Sequence, residues 1–219
     1  VTGFTAPAAT SDEMDAINLI AANTTGIITA SFTATKANVG RLDSSTWTTN
    51  SGSAGSDKLT VTVTDAMSVS EFTALDDLVL STIDITLNTG IKDSLSAIYT
   101  DALSDGIKAA VADDQDITIE LTDTNITQSD FAKINAIATN ASFTPAFTGA
   151  LKANIKGNIS DLAGDGLNAL GTGDAITFTV DDDPTVANLI VLNGRTNTGA
   201  ITVSGSITGE LYTFVKANN

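Results

Sequence analysis

The sequence predicts an α/β repeat solenoid: a parallel β-sheet with short helical crossovers and a double unit of about 58 residues. Three observations carry this. Residues 60–78, "TVTVTDAMSVSEFTALDDL", change period within one stretch, from alternation at every second position to Phe72, Leu75 and Leu78 at every third. The strand phrases "LTVTVTD" (59–65), "ITIELTD" (117–123) and "ITFTVDD" (176–182) start 58 and 59 residues apart. Helix-start phrases follow them in the same register, at Ser68, Thr127 and Thr185, with a further copy at Thr10.

Each helix start has the same chemistry. Thr10, Ser68, Thr127 and Thr185 stand at an N-cap, with Glu13, Glu71, Asp130 and Asn188 three residues later. A cap hydroxyl accepts from the N3 amide while the N3 side chain reaches back, the capping-box arrangement. Met14, Phe72, Phe131 and Leu189, then Ile17, Leu75, Ile134 and Leu192, place apolar pairs on one helix face.

A second strand is expected after each helix: "IITASFT" (27–33), "IDITLNT" (83–89), "SFTPAFT" (142–148) and "ITVSGSIT" (201–208). Connectors then lead back to the first kind of strand, and two share a phrase, "TDALSDGIKAAV" and "SDLAGDGLNAL". The connector 36–58 differs, because its Ser/Gly/Thr-rich second half has no helical face and reads as a loop around Trp47, a local packing anchor. The chain is accordingly one α/β solenoid domain, 1–219, with units at approximately 1–26 (partial), 27–82, 83–141, 142–200 and 201–219 (partial).

Strands joined by helical crossovers pair in parallel, so seven strands in series are expected to form one long sheet. Leu59, Val61 and Val63 point to the connectors, and Thr60, Thr62 and Thr64 to solvent. The ends "GELYTFVKANN" and the partial first unit look uncapped, which predicts either a segment of a longer array or ends that meet other copies. A first residue Val1 in place of Met also suggests a processed protein or an excised segment.

Composition excludes several functions. With 10 Lys+Arg against 26 Asp+Glu, net −16, the chain lacks the clustered cations that nucleic acid or an anionic membrane surface requires. No apolar run approaches the roughly 20 residues of a membrane span, so no membrane insertion is expected. The 219 residues contain no Cys and no His, which removes disulfides, thiolate metal sites, the commonest general base and the strongest nucleophile. No enzyme is expected.

No cofactor is required, and calcium is the one ion the acidic turns could hold. Its candidate ligands are Asp113, Asp114 and Asp116 in "DDQD", Asp181, Asp182 and Asp183 in "DDDP", and Asp65 and Asp123, the repeat equivalents of Asp182. Neither an EF-hand loop nor a Gly-Gly-x-Gly-x-Asp nonapeptide is present, so the competing reading is a set of solvated turns that keep the solenoid soluble. The Thr-x-Thr ranks also invite an ice-binding reading, interrupted at Glu120 and Asp181.

"TSDEMDAINLIAANTTGIITASFTAT", "SVSEFTALDDLVLSTIDITLNTG" and "TQSDFAKINAIATN" resemble the degenerate Thr/Ala/Asp-rich tandem repeats of very large secreted bacterial proteins, including cyanobacterial cell-surface and hemolysin-like ones. Similar wording occurs in phage tail-fibre repeats. The resemblance supplies no catalytic residue. It implies export by a type I route, an extracellular or cell-surface location, and a surface or filament-forming role with calcium-assisted folding. The expected function is therefore a non-catalytic spacer, surface-layer component or filament subunit that self-associates end to end. The alternative is an adhesin or phage tail-fibre-like module that binds a receptor or polysaccharide through the loop 43–57, with ice binding behind it.

Overall fold

The helix starts form as the hydroxyl caps dictate. In this computed structural model the described residues are 2–6, 8–24, 28–42, 58–77, 83–123, 126–138, 143, 146–164, 174–195 and 199–208. Helix α1 (Ser11–Asn23) starts from Thr10, whose amide and hydroxyl both reach the Glu13 carboxylate, at 2.7 and 3.1 Å. Helix α3 (Val69–Asp76) starts from Ser68, whose amide donates to Glu71 Oε2 at 2.8 Å while its Oγ accepts from the Glu71 amide at 3.2 Å. β1 (Thr2–Ala6) precedes α1, and between the two helices lie β2 (Thr29–Ala34), the one-turn helix α2 (Lys36–Val39) and β3 (Lys58–Val63).

The remaining elements continue the alternation. They are β4 (Ile83–Leu87), β5 (Ile91–Asp93), α4 (Leu95–Ile98), α5 (Asp105–Asp113), β6 (Thr118–Leu121) and a 3-10 turn over Gln128–Asp130 that leads into α6 (Phe131–Ala138). Then come β7 (Ala150–Gly157), α7 (Ile159–Leu162), β8 (Ala175–Val180), α8 (Val186–Asn193) and β9 (Ile201–Val203). Thr127 and Thr185 each keep one half of the capping arrangement: Asp130 Oδ2 accepts from the Thr127 amide at 3.3 Å, and Thr185 Oγ1 accepts from the Asn188 amide at 3.2 Å.

The fold is mixed α/β with two open parallel sheets, ordered β1-β2-β3-β4 and β5-β6-β7-β8-β9. Within each sheet chain order and strand order coincide, so residues of one type fall into ranks. In the first sheet Ala6, Phe32, Val61 and Ile85 are in register and buried, as are Ala34, Val63 and Leu87. The other face carries Thr33, Thr62 and Thr86 in one rank and Ser31, Thr60 and Asp84 in the next. In the second sheet Ile155 and Phe178 are buried neighbours on the face that receives the helices' apolar residues, while Lys156 and Thr179 pair on the other. Burying each large side chain in these ranks contributes about 1.5–3 kcal/mol.

Three differences from the sequence reading have physical causes. Among the described residues, nine strands in two sheets stand in place of seven in one. Beyond Leu87 the chain turns at Gly90, whose φ of 84° is open to glycine at no steric cost, and continues as β5 of the second sheet. Of the expected strand 142–148, the described Phe143 and Ala146–Thr148 are not extended into a ladder; the phrase contains Pro145, which has no amide to donate. The strand lies instead at β7, where Leu151, Ala153 and Ile155 are buried and Lys152, Asn154 and Lys156 exposed, an alternation hidden in a stretch assigned to a connector. β1 and β5 were likewise unanticipated, being short and weakly patterned.

The chain forms two compact units. The first comprises residues 1–92 and 104–117, the second 93–103 and 118–219. In the first, α1, α3 and α5 cover the sheet with Met14, Ile17, Phe72, Leu75, Ile107 and Val111. In the second, α6 and α8 do so with Phe131, Ile134, Ile137, Leu189 and Leu192. The loop 43–57 with Trp47, and the terminal phrase 209–219, lie outside the described residues.

Candidate functional site

The acidic turns are the chain's densest concentration of chemistry, and a single contact recurs in them. Asp65 Oδ2 accepts from the Lys36 amide at 3.1 Å, Asp123 Oδ2 from the Leu95 amide at 2.5 Å, and Asp182 Oδ1 from the Ile159 amide at 2.8 Å. Lys36, Leu95 and Ile159 are the first residues of α2, α4 and α7. First-turn amides have no partner within a helix, and a negative charge there also meets the positive end of the helix dipole. Each carboxylate thus completes the N-terminus of a helix that starts 29, 28 and 23 residues earlier in the chain.

Two capping schemes therefore recur along the chain. The helices at Thr10, Ser68 and Thr127 carry their own acid at the third helical position, and at Thr185 an Asn takes that place. The one-turn helices have Asn38, Ala97 and Asp161 there, and take a carboxylate from a turn further along the chain.

The other predicted residues are dispersed among different partners. Asp181 pairs with Lys156 Nζ at 3.5 Å, and Asp183 Oδ1 accepts from the Ser206 amide at 2.6 Å. The three acids of "DDDP" thus face three different groups. Asp114 Oδ2 accepts from the Leu87 amide at 3.0 Å. Asp113 lies near Asp76 and Asp84, and burial, followed by those charges, pushes its carboxyl up to about 6. Asp114 is also raised, first by burial and then by its hydrogen bond with Asp116. Among the described residues, no three His, Cys, Asp or Glu side chains are grouped to hold a metal ion.

One functional acid was missed. Asp174, the buried charged residue among those described, is 5% exposed, and its Oδ1 accepts from the Leu151 amide at 2.7 Å. It starts β8 by holding β7. A signal for it existed: Asp57 and Asp174 each stand two residues before the repeated strand phrases at 59 and 176.

Grooves lie between neighbouring elements. One of about 350 Å³ lies between α2 and α3, with Val39, Leu42, Met67 and Leu75 at its base and the Lys36–Glu71 ion pair, 3.2 Å, beside it. It presents an ion pair and apolar atoms but no pairing of a nucleophile with a base. No helix among the described residues is long and apolar enough to cross a membrane. No family model, no curated protein and no solved structure matches the chain.

Proposed function

We propose that this chain is a non-catalytic structural repeat module, an α/β solenoid that works outside the cell as a spacer, surface-layer component or filament subunit. The observation that carries the reading is the cap supplied by Asp65, Asp123 and Asp182 to the preceding repeat. Such a contact has a direction along the chain and adds a polar tie to the apolar ranks, as suits a body that transmits load from one repeat to the next. The net charge of −16 keeps a repetitive, β-rich surface soluble and discourages unintended edge pairing. Export and surface location rest on the resemblance of the helix-start phrases to secreted bacterial repeats.

Self-association would proceed through the outer edges of β1 and β9, the terminal strands of their sheets, by parallel strand addition. Negative-stain electron microscopy of the purified chain, with calcium and then chelator at matched ionic strength, tests this. Regular filaments are the expected result, and their loss in chelator would give the acidic turns a calcium role. Single particles under both conditions would remove self-assembly from the proposal.

A second reading gains from one observation. Glu120 and Asp181, which interrupt the Thr ranks in the sequence, belong to the second unit, whereas the first sheet presents Thr33, Thr62 and Thr86 in unbroken register. Strands about 4.8 Å apart make such a rank a regular hydroxyl array. Ice binding by that face would give thermal hysteresis that Thr62→Lys abolishes; absence of hysteresis in the unsubstituted chain ends this reading.

A further inference from the structure

The chain leaves the first unit after Lys92 and returns to it as Ser104–Ile117, that is, α5 and the turn after it. α5 packs on α3 and β4. The helices approach so closely at Gly106 that a Cβ there would lie 2.8 Å from Val69 Cγ1 and nearer still to Thr73 Oγ1. At the other end of α5, Asp114 takes the Leu87 amide and Asp113 the Ile85 amide. These amides face away from β3, because the alternate ones serve its ladder, as Asn88 does by donating to the Val63 carbonyl at 3.0 Å. The carboxylates therefore stand where a further strand would pair with β4.

This hold is built from like charges. Asp76 and Asp77 end α3, Asp113 and Asp114 end α5, and neither helix has a base in its last turn. Carboxylates thus sit at the negative ends of both helix dipoles. Asp84 from β4 and Asp116 from the following turn add to the cluster. Two lysines of the first unit are engaged elsewhere: Lys108 pairs with Asp105 at 3.0 Å at the start of α5, and Lys36 with Glu71 at 3.2 Å. Burial, then Asp77, also raises Asp76 above the usual carboxylate range, in the same direction as Asp113 and Asp114.

We propose that Ser104–Ile117 is a strap on the first unit whose grip on the β4 edge tightens in mildly acidic solution, as the crowded carboxylates lose their mutual repulsion. A protonated carboxyl still offers an acceptor oxygen to the Ile85 and Leu87 amides, so the contact survives while the repulsion falls. At neutral and alkaline pH the strap opens more often, and each opening bares the edge of β4 for pairing with another chain.

Native-state hydrogen exchange at the Leu87 amide, corrected for the intrinsic chemical rate, tests this on the full chain. The expected result is a protection factor that rises roughly three- to tenfold between pH 8 and pH 5, a linkage value reduced for solvent screening. In Asp113→Asn the protection at pH 8 should already match the unsubstituted chain at pH 5. Asp84→Asn, which leaves the strap's own side chains intact, should raise protection at pH 8 part of the way. Protection that is flat or falls toward pH 5 in the unsubstituted chain overturns the proposal, as does an undiminished response in both variants.

Discussion

Asp182 accepts the amide hydrogen of Ile159 across 2.8 Å, so a turn after β8 completes a helix that began 23 residues earlier. Asp65 and Asp123 do the same for Lys36 and Leu95. The contact uses charge where the helix dipole favours it and satisfies an amide that would otherwise depend on water.

Removing one such carboxylate should cost stability without altering the fold. Asp65→Ala, Asp123→Ala and Asp182→Ala are each expected to lose about 1 kcal/mol in urea denaturation, with Asn at the same positions retaining part of it. Amide exchange should accelerate specifically at Lys36, Leu95 and Ile159 respectively. Unchanged exchange at those amides would show the contacts to be energetically idle.

Acidification should act with two signs. Glu71 is held below its ordinary value of 4.5, first by the Ser68 amide, so its contribution is present above that value and lost as pH falls through the lowered one. Asp113 is raised to about 6, so the folded chain binds its proton first and gains stability as pH falls from above 6 toward the unfolded value of about 4. The urea midpoint is therefore expected to be highest in mildly acidic solution and to fall below about pH 4. A midpoint that declines steadily from pH 8 downward would contradict the assignment of Asp113.

Gly106→Ala should be felt despite its size. A methyl group there meets Val69 at 2.8 Å, and α5 must shift away from α3. Overpacking of this kind costs about 1–3 kcal/mol. A thermal melt of the variant at the unsubstituted temperature would indicate that the two helices separate freely.

Phe72, Phe131 and Phe178 are fully buried, one on α3, one on α6 and one on β8. Truncation to Ala is expected to cost about 3–5 kcal/mol at each. Thr60→Ser, on the exposed face of β3, should change stability by less than about 0.5 kcal/mol. Calorimetry of the Phe72→Ala and Phe131→Ala chains would further show which unit each destabilises.

What the sequence by itself determined is local. Ser68 with Glu71 and Thr10 with Glu13 announce their helices because cap and acid lie three residues apart, within reach of one another whatever the rest of the chain does. Alternation at 59–63 announces β3, since strand geometry sends neighbours to opposite faces. The same rules applied to 142–148 chose the wrong strand, because a Thr-rich phrase containing Pro145 carries the composition of a strand without its donors, while β7 hides its alternation among Lys and Asn. Only the tertiary structure decided which groups the acids meet. In the sequence Asp65, Asp123 and Asp182 are repeated carboxylates that fit a cation as well as any other partner. Their partners are backbone amides 23 to 29 residues away, which parallel pairing of successive strands brings within hydrogen-bond reach. The exit to a second sheet at Gly90, and the return of α5 to close β4, were likewise decided by packing, since they depend on which edge amides remain unpaired once the ladder has formed.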